Sequence, residues 1–410
     1  MAQLSDDCFA FGGALLPLDE ARARISSLFN AVTAIVQADL RAAEGRILAA
    51  DIIAPIDLPP NFNSAVDGYA IHHADLAADA PTTLPVIGRI AAGGAAFAAP
   101  RAQAVRIFTG AVMPAGPDTV MMQEDCELTD EGVRIAPGIR KGANTRPAGE
   151  DVARGALALA AGKRLMPPDI GLLAALGLTT IPVRAALRVA LFSTGDELID
   201  PPAPLPQGRI YDANRHMLAA LLRRLGADVI DGGILPDDAV TTEAAMRAIQ
   251  ADLILTSGGV STGEEDHVRT AIQRAGTLEF WRVAIKPGRP VALGRIGDTP
   301  LLGLPGNPVA ALVTLAALGR PLLDRLAGAT YAPPLAFQVP SRFAYKKKSG
   351  RREYVRVTLT PDGAQRYPKE GAGILTSLTE SDAIMELPED MTRLEPGTAA
   401  RCIPLKLLYV

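Results

Sequence analysis

The pattern between Leu187 and Leu318 limits the fold more than any other part of this chain. An apolar stretch, Leu187–Phe192, runs into the turn Ser193-Thr194-Gly195-Asp196. Asp212 or Asn214 can then cap a helix that carries Met217, Leu218, Leu221, Leu222 and Leu225 on one side and ends at Gly226. A strand is expected at 227–230, a helix at 241–250, and a strand at 252–256 feeding Ser257-Gly258-Gly259. A further helix is expected after Glu264, a strand near 291–293, and a final helix from Pro308 through Leu312, Leu315 and Leu318. Strands alternating with helices predict a parallel sheet covered on both faces, with binding loops at the carboxyl ends of its strands.

The flanking regions read differently. Pro17-Leu18-Asp19-Glu20 starts a helix with Ala21, Ile25, Leu28 and Phe29 at helical spacing, and 47–53 is expected to be a strand. From 83 to about 149, Gly, Pro, Val and Ile recur without a sustained helical period, which predicts a small β-rich unit. Pro167-Pro168 begins a short helix ended by Gly177, and its start is expected to pack back on the N-terminal helix as one discontinuous domain. After Pro334, β-like segments at 337–340, 354–359 and 401–408 are separated by basic and glycine-rich turns. Lys346, Lys347, Lys348, Arg351 and Arg352 form a basic loop there, either a solvated hairpin turn or an anion- or partner-binding element.

With 410 residues, several domains with substantial cores are expected. A net charge of −4 and 4% aromatic residues argue against a non-specific nucleic-acid surface, an anionic-membrane surface or a stacking platform for single strands. The three cysteines (8, 126 and 402) exclude a disulfide framework and a cysteine-rich metal site, and the four histidines form no HExxH pattern. MAQLSDDC has no basic segment followed by an apolar stretch, and runs such as 309–317 are too short to span a bilayer, so a soluble cytoplasmic protein is expected.

Three loops at expected strand ends share one chemistry: Ser193 to Glu197, Thr256 to Asp266, and Gly303 to Pro308. Glycines such as Gly195, Gly258, Gly259, Gly263 and Gly306 let backbone N–H groups approach an anion, and Ser193, Thr194, Ser257 and Ser261 can donate to phosphate oxygens. Each loop alone is weak evidence and reads more readily as a plain turn; together, on one sheet edge, they point to a phosphate-bearing ligand. Neither the dinucleotide fingerprint nor a Walker loop occurs. Glu197 and Asp266 would repel phosphate unless Mg²⁺ were shared between carboxylate and phosphate oxygens. Arg282, Lys286 and Arg289 surround Pro287-Gly288 and can bind an oxyanion or form an ordinary salt-bridged loop. The adjacent His72 and His73 are expected to be packing or surface residues.

Read in order, these segments resemble the molybdopterin molybdenumtransferase family, the MoeA-like enzymes also found as the E domain of gephyrin-type proteins. The motifs are NSAVDGYA (63–70), FTGAVMPAGPDTVMMQED (108–125), NTRPAGEDV (144–152), STGDEL (193–198) and TSGGVSTGEEDHV (256–268). IKPGRP (285–290), GLPGNPVA (303–310) and GAGILTSL (371–378) complete them. The resemblance implies a multidomain α/β and β subunit. Its parts would be a discontinuous N-terminal domain (1–55 and 150–182), a β-rich inserted domain (56–149), a doubly wound molybdopterin-binding α/β domain (183–333) and a small C-terminal β-barrel-like domain (334–410). It also implies a homodimer whose cleft lies between the third domain of one subunit and the second domain of its partner.

The reaction implied is insertion of molybdate into adenylylated molybdopterin, with hydrolysis of the phosphoanhydride and release of AMP. Carried over by motif, Asp67, Thr109, Asp151, Glu197 and Lys286 would be catalytic, with Glu197, Asp266 and Asp67 around Mg²⁺ and Lys286 on molybdate. Ser193, Thr194, Gly195, Asp237, Ser257, Gly258, Gly259, Ser261, Gly263, Asp266, Arg282, Arg289, Pro305, Gly306 and Pro308 would bind the pterin nucleotide or oxyanion. Arg282 and Arg289 stand where relatives often carry Lys, a change from a point charge to a planar fork. A molybdopterin-adenylyltransferase-like protein and molybdoenzyme delivery proteins are expected as partners, and residue types leave molybdate and tungstate undistinguished. The rival readings are a molybdopterin adenylyltransferase and a non-catalytic dimeric scaffold.

Overall fold

Along Arg188–Thr194 successive side chains leave the backbone on opposite faces, so Val189 and Leu191 enter one core while Ala190 and Phe192 enter another. The same division holds for Leu253 and Leu255 against Ile254. In this computed structural model, which describes residues 15–260 and 267–409, the result is a six-stranded sheet with helices on both faces. The spatial order is Asp228–Leu235, Arg188–Thr194, Leu253–Ser257, Thr299–Leu304, Ala292–Ile296 and Gly276–Trp281. Helix Ala213–Arg224 packs Leu218, Leu221 and Leu222 on one face, and helices Ala239–Ala248 and His267–Ala275 cover the other with Met246, Val268 and Ile272.

The expectation of an all-parallel sheet needs correction. The first four strands are parallel, but Ala292–Ile296 runs antiparallel to Thr299–Leu304 and Gly276–Trp281 antiparallel to Ala292–Ile296. Only Gly297 and Asp298 separate Ala292–Ile296 from Thr299–Leu304, too short a connection for the crossover that parallel pairing requires. The last helix also departs from expectation. Pro308–Thr314 passes through a π-helical turn, Leu315–Gly319, before Arg320–Ala327, and Arg22 Nε donates to the Ala317 carbonyl in that turn at 3.0 Å.

Helix Leu18–Leu28 places Leu18, Ala21 and Ile25 in the core that contains Leu318, Leu322 and Leu326. The helix Pro167–Ala175 contributes Leu173 to a different core, so the expected contact between these two helices is not what joins the segments. They are joined by antiparallel pairing of Ile35–Asp39 with Thr180–Arg184 and of Ile52–Ile53 with Leu157–Leu159. The expected strand at 47–53 is broken: Ile47 and Leu48 form single bridges to Arg164 and Val183, and only Ile52–Ile53 is a strand. Ile47, Leu48 and Ile52–Ile53 each pair with a different segment, which accounts for the break.

Between these pairings, Val86–Ile90, Ala104–Ile107, Gly68–Ile71 and Thr119–Met122 form a four-stranded sheet. Thr82–Leu84, Gly132–Ile135 and Cys126–Thr129 form a three-stranded one. At the C-terminal end, Gly363–Arg366, Arg352–Thr360, Ala383–Leu387, Ala399–Pro404 and Phe337–Pro340 are neighbours in that order. A bridge from Ser341 to Ala364 closes the circuit around Val357, Met385 and Cys402, which gives the expected barrel-like form.

One buried carboxylate ties the α/β layer to the chain around Arg164. Asp324, 4% exposed, lies 3.2 Å from Arg164 and 2.9 Å from Arg320. Burial pushes the Arg164 pKa down, and Asp324 opposes that shift. Replacing Asp324 by Ala removes the counter-charge beside the largely buried Arg164 guanidinium, and is expected to cost about 3 kcal/mol. Urea denaturation measures this; a loss below about 1 kcal/mol, the range of an exposed pair, contradicts the assignment.

Candidate active site

The carboxyl ends of the parallel strands open into a cleft of about 730 Å³. Ser193, Thr194, Gly195, Glu197, Asp237, Ser257, Gly258, Gly259, Pro305, Gly306 and Pro308 all line it. Eleven residues from separate motifs of the sequence thus share one wall. Glu197 folds back over Gly195, where φ is +141° and a Cβ would collide with the Glu197 carboxylate. Asp196 N donates to Asp237 Oδ2 at 3.0 Å and Asp237 N to Asp196 Oδ1 at 3.2 Å, so the two strand ends hold each other. Asp238, by contrast, caps the helix Ala239–Ala248 by accepting from Thr241 N at 2.7 Å, which leaves Asp237 as the cleft residue of the pair.

The hydroxyls of Ser193 and Thr194 are buried and have no hydrogen-bond partner among the described residues. Buried polar groups are almost always paired, so two orphaned donors in the wall of a cleft suit a ligand rich in acceptor oxygens.

A second cavity, about 430 Å³, adjoins the first and shares Pro290, Pro305 and Asn307 with it. Its wall is basic: Lys286, Arg289, Lys348, Arg351, Arg356, Arg366 and Lys369 face two carboxylates, Glu353 and Glu370. The strand Ile285–Lys286 leaves the α/β layer and pairs in parallel with Arg352–Glu353, putting Lys286 beside Glu353. Glu353 is 1% exposed and accepts from Tyr345 Oη at 2.8 Å; Lys286 Nζ lies 3.3 Å from it and Arg351 Nε 2.8 Å. Burial, with Glu353 adjacent, pushes the Tyr345 hydroxyl well above the usual phenol range. Arg356 Nη1 donates to Gly371 O at 2.8 Å and to Ser377 Oγ at 2.7 Å. The basic loop of the sequence divides. Lys347 is buried and donates to the carbonyls of Pro388 and Met391, each at 2.7 Å, while Lys348 and Arg351 face the cavity.

The inserted β unit carries a separate group. Thr109 donates to Asp67 Oδ1 through its backbone N at 2.8 Å and its hydroxyl at 2.7 Å. These bonds hold the half-buried Asp67 carboxyl below the ordinary carboxylate range. Gly68 is required beside it, because a Cβ there would overlap the Met121 carbonyl oxygen on the neighbouring strand. Thr109 and Asp151 line a third cleft with Arg146 and Glu150, and none of its lining residues is shared with the first two. Within one chain, therefore, Asp67, Thr109 and Asp151 do not meet Glu197 or Lys286.

Arg282 is 5% exposed, with φ +85°, and its guanidinium lies 5.7 Å from the Trp281 ring centre; it lines neither the glycine cleft nor the basic cavity. Ser261, Gly263 and Asp266 lie outside the described residues. Among the described residues no three His, Cys, Asp or Glu side chains gather as a metal cage. Sequence reasoning missed Tyr345, Glu353, Arg356, Ser377 and Asn214. The alternation of Arg351, Glu353 and Val355 with Arg352, Tyr354 and Arg356 was the available signal for two of them.

Comparison with known proteins agrees along the chain. Residues 16–177 match the MoeA N-terminal region (domain I and II), 190–325 a probable molybdopterin binding domain, and 338–405 the MoeA C-terminal region (domain IV). The molybdopterin molybdenumtransferase of Haemophilus influenzae is 37% identical over 96% of this chain and 100% of its own. Molybdopterin molybdenumtransferase 2 of Mycobacterium tuberculosis is 36% identical over 88% of this chain and 92% of its own. A crystal structure of the molybdopterin biosynthesis MoeA protein of Pyrococcus horikoshii superposes with a TM-score of 0.81 at 29% identity, over 95% of this chain and 100% of that one. With all three family regions matched in order and a relative aligned over its full length, the chain belongs to the MoeA family of molybdopterin molybdenumtransferases.

Proposed function

We propose that this protein inserts molybdate into adenylylated molybdopterin and releases AMP. The observation that carries this reading is the common wall of Pro290, Pro305 and Asn307 between the glycine- and hydroxyl-lined cleft and the basic cavity. Two anions of different character are thereby held side by side. The cleft takes the phosphoanhydride and pterin on backbone N–H groups and on the hydroxyls of Ser193, Thr194 and Ser257, at the sheet edge where such ligands bind. The basic cavity takes the tetrahedral oxyanion, with Lys286, Arg289 and Arg356 as its cations. The substrate's dithiolene thiols bind the molybdate, two Mo–S bonds forming as one oxo ligand leaves as water with the two thiol protons. A second water attacks a phosphoanhydride phosphorus, the bridging P–O bond breaks, and AMP departs from the phosphate-bearing cofactor. The protein thus needs no thiolate of its own, in keeping with Cys126, whose thiol burial pushes up to about 11, and with the buried Cys402.

Glu197 would hold Mg²⁺ at this cleft, with Asp266 and the Asp67 of a partner subunit as the other candidates. Mg²⁺ commonly uses one or two carboxylates plus phosphate and water, so a closed protein cage is not required. When bound it would neutralise charge developing on the phosphoanhydride. Asp67, Thr109 and Asp151 enter through a homodimer, the inserted unit of one subunit closing over the cleft of the other. Exposed apolar residues support a self-association face. Ile53 and Leu157 are cross-strand neighbours at 52% and 54% exposure, and Val32 and Ile35 are likewise exposed. The four domains of this reading are 1–55 with 150–182, 56–149, 183–333 and 334–410. No helix among the described residues is long and apolar enough to cross a membrane, and we place the activity in the cytoplasm. An upstream molybdopterin-adenylyltransferase-like protein and downstream molybdoenzyme delivery proteins complete the proposed context.

The test is a purified turnover assay with adenylylated molybdopterin, Mg²⁺ and molybdate, following AMP by chromatography and cofactor by reconstitution of an apo-molybdoenzyme. Lys286→Ala is expected to raise the molybdate concentration for half-maximal turnover at least about tenfold, the equivalent of ~1.4 kcal/mol, with the KM for the nucleotide substrate unchanged. Glu197→Ala is expected to lower kcat by about 100-fold, the scale of a lost transition-state electrostatic contact. AMP release that ignores molybdate, or AMP attachment from ATP, supports the adenylyltransferase reading instead.

Mixing Asp67→Asn and Lys286→Ala subunits tests the shared cleft. Random reassociation of two-fold dimers leaves roughly a quarter of the sites intact, so activity should recover to about that fraction; no recovery contradicts a cleft built from two chains. Asp67, with its lowered pKa, is ionised above that pKa and loses its charge as pH falls through it. Thr109→Val removes one of the two stabilising bonds and should move the acid limb of the kcat–pH profile to higher pH; an unmoved limb argues against an ionised Asp67 in the reaction.

A further inference from the structure

Asn214 sits one residue inside the helix Ala213–Arg224, whose cap is Asp212, accepting from Arg215 N at 3.1 Å. Asn214 is therefore free of the capping role, yet it is 8% exposed and points into the floor of the glycine cleft. Its side-chain nitrogen donates to Ser257 Oγ at 2.8 Å and to the Gly306 carbonyl at 2.7 Å. A carbonyl can only accept, which settles the orientation of the amide: both of its N–H bonds are spent on the two loops.

Those loops are the ends of adjacent parallel strands, in register at Ser257 and Leu304. Their last backbone hydrogen bond is Gly258 N to Leu304 O at 2.9 Å, and past it the strands no longer pair. Asn214 is the next tie outward, from a third element. It also determines what Ser257 can do. With Oγ accepting from Asn214, the remaining partner for the Ser257 proton among the described residues is Pro305 O at 3.5 Å, too long for a good hydrogen bond. That proton is available to an acceptor in the cleft.

We propose that Asn214 is a positioning residue for the phosphate-bearing substrate: it locks the spacing of the Ser257–Gly259 and Pro305–Asn307 loops and turns the Ser257 hydroxyl into a donor aimed at the ligand. This rests on the reading of the cleft given above and adds to it a residue that no motif of the loops contains. The oxyanion cavity shares Pro305 and Asn307 with the second loop, but its cations Lys286, Arg289 and Arg356 stand on other elements, so its affinity is expected to be largely independent of Asn214.

The experiment uses the full-length protein. AMP binding is measured by calorimetry, and turnover is titrated separately with adenylylated molybdopterin and with molybdate. Asn214→Ala, a better helix former, should weaken AMP binding and raise the KM for adenylylated molybdopterin about tenfold, with the molybdate half-saturation within twofold of wild type. Asn214→Asp keeps the shape but cannot donate to Gly306, and should show at least the same loss. Ser257→Ala combined with Asn214→Ala should be no worse than Asn214→Ala alone, because losing Asn214 already removes the orientation of the Ser257 hydroxyl. Wild-type AMP affinity in both Asn214 variants, or an equal loss for AMP and molybdate, overturns the inference while leaving the parent reading intact. A wild-type protein that neither binds AMP nor releases it in the presence of molybdate overturns the parent reading and this inference with it.

Discussion

The short parallel pairing of Ile285–Lys286 with Arg352–Glu353 is the contact on which the arrangement of the site depends. It draws a segment of the α/β layer into the C-terminal sheet and sets Lys286 against Glu353. A buried carboxylate is stable in its charged form only when paired and hydrogen-bonded. Lys286, Arg351 and Tyr345 meet that need together. The three groups are thereby ordered around one cavity before any ligand arrives, and that cavity is pressed against the end of the sheet through Pro290, Pro305 and Asn307. Without the pairing, the basic segment and the glycine loops would belong to separate surfaces.

The charge distribution follows from the same geometry. The chain as a whole is mildly acidic, with net charge −4, yet seven cationic side chains line a single cavity. Much of the remaining charge is engaged in structure. Asp324 balances Arg164 and Arg320, and Arg215 is surrounded by Asp200, Asp212 and Asp231. Arg352 links Asp19 on the first helix to Glu389 on the last domain. Buried and half-buried pairs of this kind hold segments in register, whereas the cavity keeps an excess of one sign for an anion.

Local chemistry made much of the scaffold legible. The cap at Asp212, the stop at Gly226, the proline starts at 167 and 308 and the glycine turns after three strands each state a backbone conformation within a few residues. The antiparallel edge of the sheet was not legible, because alternation such as that of Thr277-Leu278-Glu279-Phe280 says nothing of strand direction, which is decided by the neighbouring strands. The π-helical turn at Leu315–Gly319 was hidden for a similar reason: its apolar spacing continues that of the helix before it.

The sequence by itself determined which loops are rich in glycine and hydroxyls, which segments are basic, and that the loops fall at strand ends, because these are consequences of residue type and short-range periodicity. Only the tertiary structure decided that Asp238 caps a helix while Asp237 faces the cleft, that Arg282 stacks away from both cavities, and that Lys347 is a structural clamp. It alone brought Arg356, held by Ser377, to the cavity that Lys286 lines, and placed Asn214 between two loops 43 and 92 residues further along the chain. The physical reason is separation: a side chain's role at such a site is set by groups that the chain brings near only after its sheets have paired.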